Sequence, residues 1–306
     1  MESNSRRAFL QTSSGILLAP GAALAAAAQA QPAARMRLGV ITALGPKNPP
    51  DAAIAYVREL GFPTCQVEAH EFSQAIADDL KKALARHQVE ATALIASGPG
   101  RMDWNFYQGP LNNGLVPPET RKVRVEHLKK ASEFARQAGI PAVFTHCGFI
   151  PENPNEPLYK DVVAAIREVA QVCKANGQLF LFETGQETPV TLLRTIADVG
   201  LDNLAINLDT ANLILYGKAN PVDALDVVGQ YVKAVHAKDG FYPTDPRELG
   251  KEVPIGEGKV DFPAFIARLK KMGYTGAITI EREITGPKQK EDIARAKGYL
   301  EKLIRS

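Results

Sequence analysis

Cysteine is scarce in this 306-residue chain, which holds only Cys65, Cys147 and Cys173. An odd count with no CxxC spacing excludes a disulfide framework and a zinc ribbon. An excess of one charge is also missing. The 36 basic and 34 acidic residues leave a net +2, too balanced for a dedicated nucleic-acid binder, so no nucleic-acid partner is expected. No apolar run in the body of the chain reaches the length of a transmembrane span. Neither GxGxxG nor a Walker pattern follows the first apolar run, which leads into Ala43-Leu44-Gly45-Pro46-Lys47. That removes the usual phosphate loop of a doubly wound sheet. What is present is ordinary globular composition, 45% apolar and 23% charged, which excludes a disordered chain and a mini-protein held by disulfides.

Residues 1–30 differ in kind from the rest. Ser5-Arg6-Arg7-Ala8-Phe9-Leu10 is a twin-arginine pattern, a weakly apolar stretch runs from Gly15 to Ala28, and Ala28-Gln29-Ala30 is an A-x-A cleavage signal. Positive, then apolar, then small is the order of a secretory signal. An Ala-rich helix of the mature protein is the competing explanation. The expectation is a signal peptide over 1–30 and a periplasmic protein whose functional domain is 31–306, with the twin-arginine export machinery as a partner. That route carries folded proteins, often with a metal or cofactor already loaded. Removing the segment takes away two arginines and one glutamate and leaves +1, so the expectation about partners stands.

From Met36 onward, short apolar runs alternate with helical patterns. Strands are predicted at Arg37–Ala43, Thr64–Ala69, Glu90–Ala96, Ala142–His146, Leu179–Glu183, Leu204–Asp209, Val232–Lys238 and Gly276–Glu281. Helices are predicted near 50–60, 73–87, 119–138, 157–176, 189–199, 221–228, 262–272 and 288–304. Thr188-Pro189 and Asn220-Pro221 place a capping side chain before a proline at the first helical position. Gly139, Gly177, Gly200, Gly229 and Gly273 stand where helices should end in a positive-φ residue. Eight such units predict an α/β fold, a single (β/α)8 TIM barrel. The longest irregular segment, 97–118, follows the third strand and so belongs on the catalytic face, as a lid, a substrate wall or a plain surface excursion. Its Trp104, Phe106 and Tyr107 are suited either to stacking on a sugar ring or to packing the loop onto the barrel.

Strand side chains alternate between the barrel interior and the helices. If Phe180 and Phe182 face the helices, Glu183 faces the axis. The same phase turns Asp209 inward after Ile206 and Leu208, His236 inward after Val235, and Glu281 inward after Ile278 and Ile280. Each closes its apolar run at the C-terminal end, on four consecutive strands. Taken singly, each has an ordinary explanation, such as a helix cap or a structural histidine. Together, three carboxylates and one imidazole would repel without a cation, and they suit one divalent metal ion. Mn²⁺ is preferred, with Mg²⁺, Co²⁺ or Zn²⁺ as alternatives and Zn²⁺ disfavoured for want of thiolates. Glu283 shares the phase of Glu281 and is a rival ligand. His146, Lys238, Glu68, His70 and Asn212 share the mouth as candidate substrate contacts. Their ordinary roles would be a hydrogen bond for His146, an ion pair for Lys238 and a helix cap for Glu68.

Several of these segments have a familiar look. Val253-Pro254-Ile255-Gly256-Glu257-Gly258-Lys259-Val260-Asp261-Phe262, then Gly273-Tyr274-Thr275-Gly276, Ile278-Thr279-Ile280-Glu281, Asp209-Thr210-Ala211-Asn212 and His236-Ala237-Lys238-Asp239 are the segments concerned. The chain resembles the sugar phosphate isomerase/epimerase family, the xylose-isomerase-like TIM barrels, over roughly residues 36–304. In ketose 3-epimerases of that family, the metal ligands match Glu183, Asp209, His236 and Glu281, and the two glutamates are also the acid/base pair. The resemblance therefore implies that Glu183 and Glu281 are catalytic. Those epimerases usually carry a substrate-binding histidine three residues after the aspartate, where this chain has Asn212. The family also holds hydroxypyruvate isomerases, inosose dehydratases and endonuclease-like members.

The implied activity is a divalent-metal-dependent isomerase or epimerase acting on a sugar or keto-sugar. Such an enzyme removes a proton beside a carbonyl through a metal-stabilised enediolate. A lyase or dehydratase on a keto-sugar or inosose begins with the same abstraction. A non-catalytic periplasmic sugar-binding protein is the alternative of another class. The endonuclease-like phosphodiesterase needs two or three metals, and five histidines with a near-neutral charge argue against it. A periplasmic address favours an unphosphorylated sugar or a keto-glycoside as the small-molecule partner. A homo-oligomer is compatible with everything above.

Overall fold

The computed structural model describes residues 36–306; the signal expected over 1–30 lies outside the described residues. Eight strands form its barrel: β1 (Arg37–Ala43), β2 (Thr64–Glu68), β3 (Glu90–Ile95), β4 (Ala142–Thr145), β5 (Leu179–Glu183), β6 (Leu204–Asp209), β7 (Val232–Ala237) and β8 (Ala277–Ile280). The main helices between and after them are α1 (Pro50–Glu59), α2 (Gln74–His87), α3 (Pro118–Ala138), α4 (Pro157–Ala175), α5 (Pro189–Val199), α6 (Pro221–Val228), α7 (Phe262–Lys271) and α8 (Pro287–Arg305). All neighbouring strands of the barrel are parallel. They close in the order β1-β8-β7-β6-β5-β4-β3-β2, the single (β/α)8 barrel that the alternation predicts.

Two apolar layers set the strand phase. Phe180, Phe182, Ile206, Leu208, Val235, Ile278 and Ile280 belong to the large core that also holds Ile54, Leu80, Phe134, Val169 and Phe265 of the helices. Inside the barrel, a small layer of Ala93, Ala142, Phe144, Leu181, Ala205 and Ala234 fills the narrow interior. A slip of one residue would exchange these layers and drive carboxylates among the helices. Each large apolar side chain buried in the outer layer contributes about 1.5–3 kcal/mol against that slip. The inward phase therefore runs from Leu181 to Glu183, from Ala205 through Asn207 to Asp209, and from Ala234 to His236.

The punctuation residues do most of what their positions predict. Thr188 Oγ1 accepts from the Thr191 N–H, and Asn220 Oδ1 accepts from the Val222 N–H, each just before the proline that opens a helix. Gly139, Gly177, Gly200 and Gly273 adopt positive φ. Gly229 does not: its φ is −54°, and a Cβ there would only have to push aside the end of the exposed Met272 side chain, 2.3 Å away at Cε. The ladders of β2, β3, β4, β7 and β8 stop one residue short of the predicted ends, where the loops splay at the mouth. Even so, the N–H groups of Ala69, Ala96 and Glu281 still donate across to Ile95, Phe144 and Ala237, so the strand phase reaches Glu281.

The segment 97–118 is tied down by side-chain hydrogen bonds at both of its ends. It contains a short helix, Gly109–Asn112, that the sequence does not signal. Arg124 of α3 is buried, and its guanidinium donates to the carbonyls of Pro99, Gly114 and Arg101 at 3.2, 2.8 and 3.1 Å. Asn112 and Asn113 pin Asp103 from the other side. This clamp holds Trp104 over the barrel mouth.

Candidate metal centre

Four side chains meet at the C-terminal mouth. One ligand atom from each of Glu183, Asp209, His236 and Glu281 lies within 4.8 Å of the other three. His236 Nδ1 is 2.9 Å from a Glu183 oxygen, 3.2 Å from Glu281 Oε2 and 3.5 Å from Asp209 Oδ2. Glu183, Asp209 and His236 are buried, and Glu281 is partly so. Asp209 divides its carboxylate. Oδ1 accepts from the Asn212 N–H at 2.7 Å and caps the short helix Thr210–Leu215, whereas Oδ2 is buried without a hydrogen-bond partner. One oxygen thus serves as the helix cap, and the other is left free of any hydrogen bond.

The imidazole is oriented from behind. Gln66 Oε1 can only accept, so His236 Nε2 carries a proton and donates to it at 2.5 Å. Gln66 Nε2 in turn donates to Asn207 Oδ1 at 3.2 Å. Phe144 stands edge-on to the imidazole at 5.4 Å. Nδ1 is left facing the three carboxylates with no hydrogen bond of its own. An imidazole nitrogen that can give up its proton and an orphaned carboxylate oxygen aimed into one volume, beside two further carboxylates, fit a divalent cation. Gln66 and Asn207 escape the sequence reading, although their signal is present: Gln66 is two residues before Glu68 and Asn207 two before Asp209, in the same inward phase. Replacing Gln66 with Leu is expected to weaken divalent-metal affinity by about 10–100-fold in a competition titration. An unchanged affinity would deny it the orienting role.

Burial and neighbouring charge act on this pocket in opposite directions. Burial pushes His236 down, but the Glu281 and Glu183 carboxylates outweigh it and hold the imidazole well above its ordinary pKa. Lys238 likewise loses by burial and gains more from Glu281, Asp209 and Glu283, ending well above the usual lysine value. Burial pushes Asp209 up to about 7, against the pull of Lys238 and His236. Burial alone would raise Glu281 too, yet Lys238 and His236 hold it well below the carboxylate range.

The other candidates fall around this cluster. Lys238 is buried, with Nζ donating to Asn212 Oδ1 at 3.2 Å and to Glu281 Oε2 at 3.3 Å, and with Glu283 at 2.8 Å. Glu283 is mostly exposed and pairs with Lys238, outside the ligand cluster. Strand periodicity does not extend to it, because β8 ends at Ile280. His146 is half-buried, 3.4 Å from Glu183 Oε2 through Nε2 and 3.3 Å from Gln186 Oε1 through Nδ1. Glu68 stands on the rim, 3.3 Å from the exposed His70. Burial raises its pKa, His70 opposes this, and the charges of Glu281, Glu183 and Glu283 add to it. Trp104 lies edge-on to His146 at 4.9 Å. Phe106 packs on Tyr216 at 6.3 Å, and Tyr107 is exposed beneath Arg247.

A sequence model of the xylose isomerase-like TIM barrel family matches residues 54–303. The chain belongs to this family. Among solved structures, a xylose isomerase domain protein from Planctomyces limnophilus is 34% identical with a TM-score of 0.83, over 88% of this chain and 97% of that one. A D-tagatose 3-epimerase-like protein is 23% identical with a TM-score of 0.68, over 88% of this chain and 97% of its own, and shares the fold. An uncharacterized protein of Methanocaldococcus jannaschii is 28% identical over 184 residues, 56% of this chain. The chain spans 61% of the length of that curated relative.

One buried acid near this xylose isomerase-like site has no place in the cluster. Glu187, in the loop after β5, is buried with Oε2 unpartnered, and burial pushes its carboxyl up to about 8. A carboxyl raised on folding keeps its proton in the native state while the unfolded chain loses it, so stability falls as pH rises from about 4.5 to about 8. Glu187→Gln is expected to raise thermal stability at pH 8 by several degrees and to change it little at pH 4.5. Equal gains at both pH values in a melting series would contradict this account.

Proposed function

We propose that this protein is a metal-dependent sugar isomerase or epimerase that moves a proton beside a carbonyl, with Glu183 and Glu281 as the acid/base pair. The observation that carries the reading is the pairing of two carboxylates around His236 Nδ1, at 2.9 and 3.2 Å, at the mouth of a barrel whose family is established. Glu183, Asp209, His236 and Glu281 would hold a divalent ion, which would supply positive charge to polarise the carbonyl and to steady the charge left by proton loss. An oxygen of one glutamate takes the proton from the carbon beside the carbonyl. For epimerisation, the other glutamate returns a proton to the opposite face of that carbon. For isomerisation, the proton returns to the neighbouring carbon.

The remaining residues bind and orient. The Asn212 amide N–H groups offer donors to substrate oxygens next to Glu281, Lys238 Nζ steadies the Glu281 carboxylate from 3.3 Å, and His146 offers a donor next to Glu183. Trp104 and the clamped 97–118 segment cover one side and limit the entry of water. The relative named as D-tagatose 3-epimerase-like supports sugar chemistry of this kind. Elimination of a β-hydroxyl begins with the same abstraction and differs in the product.

The test incubates the metal-loaded protein with a panel of keto-sugars in deuterated water. Deuterium incorporation at the carbon beside the carbonyl is expected, and product analysis then separates epimer, isomer and dehydrated sugar. Saturable sugar binding with no exchange on any member would leave a binding protein and overturn the enzymatic reading.

A further inference from the structure

A cavity of about 240 Å³ lies beside the four-residue cluster, walled by Trp104, His146, Asn212, Tyr216, Leu249 and Glu283. No lysine or arginine lines it among the described residues, and Glu283 is its acid. Lys238, which touches two of these wall residues, is held at 2.8 Å by Glu283, 3.2 Å by Asn212 and 3.3 Å by Glu281. Glu68, Glu183, Asp209, Glu281 and Glu283 all bear on this mouth.

Barrels of this class frequently bind phosphate with the loops after the seventh and eighth strands. Here those loops are occupied by the chain's own carboxylates. The N–H groups of Gly240, Gly256, Gly258 and Val260 converge on buried Asp239 at 2.8, 2.9, 3.0 and 3.0 Å. A Cβ at Gly258 would come 2.1 Å from Asp239 Oδ1, so this backbone nest is closed on its internal anion. Arg282, the cation just after β8, is taken by Glu252 at 2.8 Å and by Asp292 at 3.0 Å.

We propose that the site takes a neutral, unphosphorylated sugar and that Glu283, by capping Lys238 at the cavity wall, turns phosphorylated sugars away. The inference rests on the sugar-processing reading above and adds the charge class of the substrate. A phosphate would have to displace Glu283 from Lys238 or Asp239 from its nest, and would bring further negative charge to a mouth already negative.

Trp104 is the only tryptophan of the sequence and stands in the cavity wall, so its emission reports occupancy directly. The experiment titrates the Mg²⁺-loaded protein with D-fructose against D-fructose 6-phosphate, with D-ribulose against D-ribulose 5-phosphate, and with inorganic phosphate. The neutral member is expected to bind at least about tenfold tighter than its phosphate, and inorganic phosphate to give no saturable response. Glu283→Gln is expected to tighten the phosphorylated member by about tenfold, whereas Glu283→Asp keeps the original ranking. A phosphorylated sugar or free phosphate binding the unaltered protein as tightly as the neutral sugars would overturn the proposal, as would a ranking unmoved by Glu283→Gln. If no sugar binds, the inorganic phosphate titration alone decides. The readout is binding, so failure of hydrogen exchange would strike the proposed activity and leave this charge ranking intact.

Discussion

Glu183→Gln and Glu281→Gln are each expected to lower the proposed epimerisation or isomerisation by on the order of a thousandfold. The substitution preserves shape and one liganding oxygen but removes the proton acceptor, so the effect falls on turnover and much less on sugar binding. The two variants differ in a way that identifies the pair. If the glutamates serve opposite faces of one carbon, each single variant loses interconversion yet still exchanges the hydrogen of one epimer through the remaining carboxylate. Solvent-deuterium exchange followed separately from each epimer reads this out. Loss of exchange from both epimers in both variants would point to a single base and contradict the assignment.

The second large effect is on stability. With metal at roughly a hundred times its dissociation constant, binding adds about 2.7 kcal/mol to the folded state. For a domain of this size, that is a melting shift of roughly 5–10 °C. Chelation is expected to remove the increment, and added Mn²⁺ or Mg²⁺ to restore it. The pocket itself argues for a sizeable response. Without an ion, three carboxylates share one buried volume, and His236 and Lys238 must both stay charged to balance them. A melting temperature unmoved by chelator and by metal addition would contradict it.

The strand phase was legible because the barrel has two distinct apolar layers. Phe180, Phe182, Ile206, Leu208 and Ile278 can only be satisfied against the helices, so the polar residue closing each run points inward. That argument reaches Glu183, Asp209, His236 and Glu281 without structural help. It fails one step further on. Glu283 and His70 sit past the ends of β8 and β2, where the ladder has stopped and alternation no longer holds. The structure accordingly puts Glu283 on Lys238 and leaves His70 exposed. Gln66 and Asn207 were missed for a different reason. Both are uncharged residues inside strands, each beside a register shift with a neighbouring strand, and neither type draws notice until His236 is seen to need a partner behind it. The cap at Asp239 is still less visible, because its four N–H donors come from Gly240 and from residues 256–260, across a loop that no spacing rule folds.

The most direct test of the four-ligand centre is elemental mass spectrometry of the purified protein beside a Glu183→Gln/Asp209→Asn double variant. The account predicts close to one Mn, Mg, Co or Zn ion per chain in the unaltered protein and little in the variant, with both still folded by circular dichroism. An unaltered protein that holds no divalent metal, and takes up none when it is offered, would contradict it.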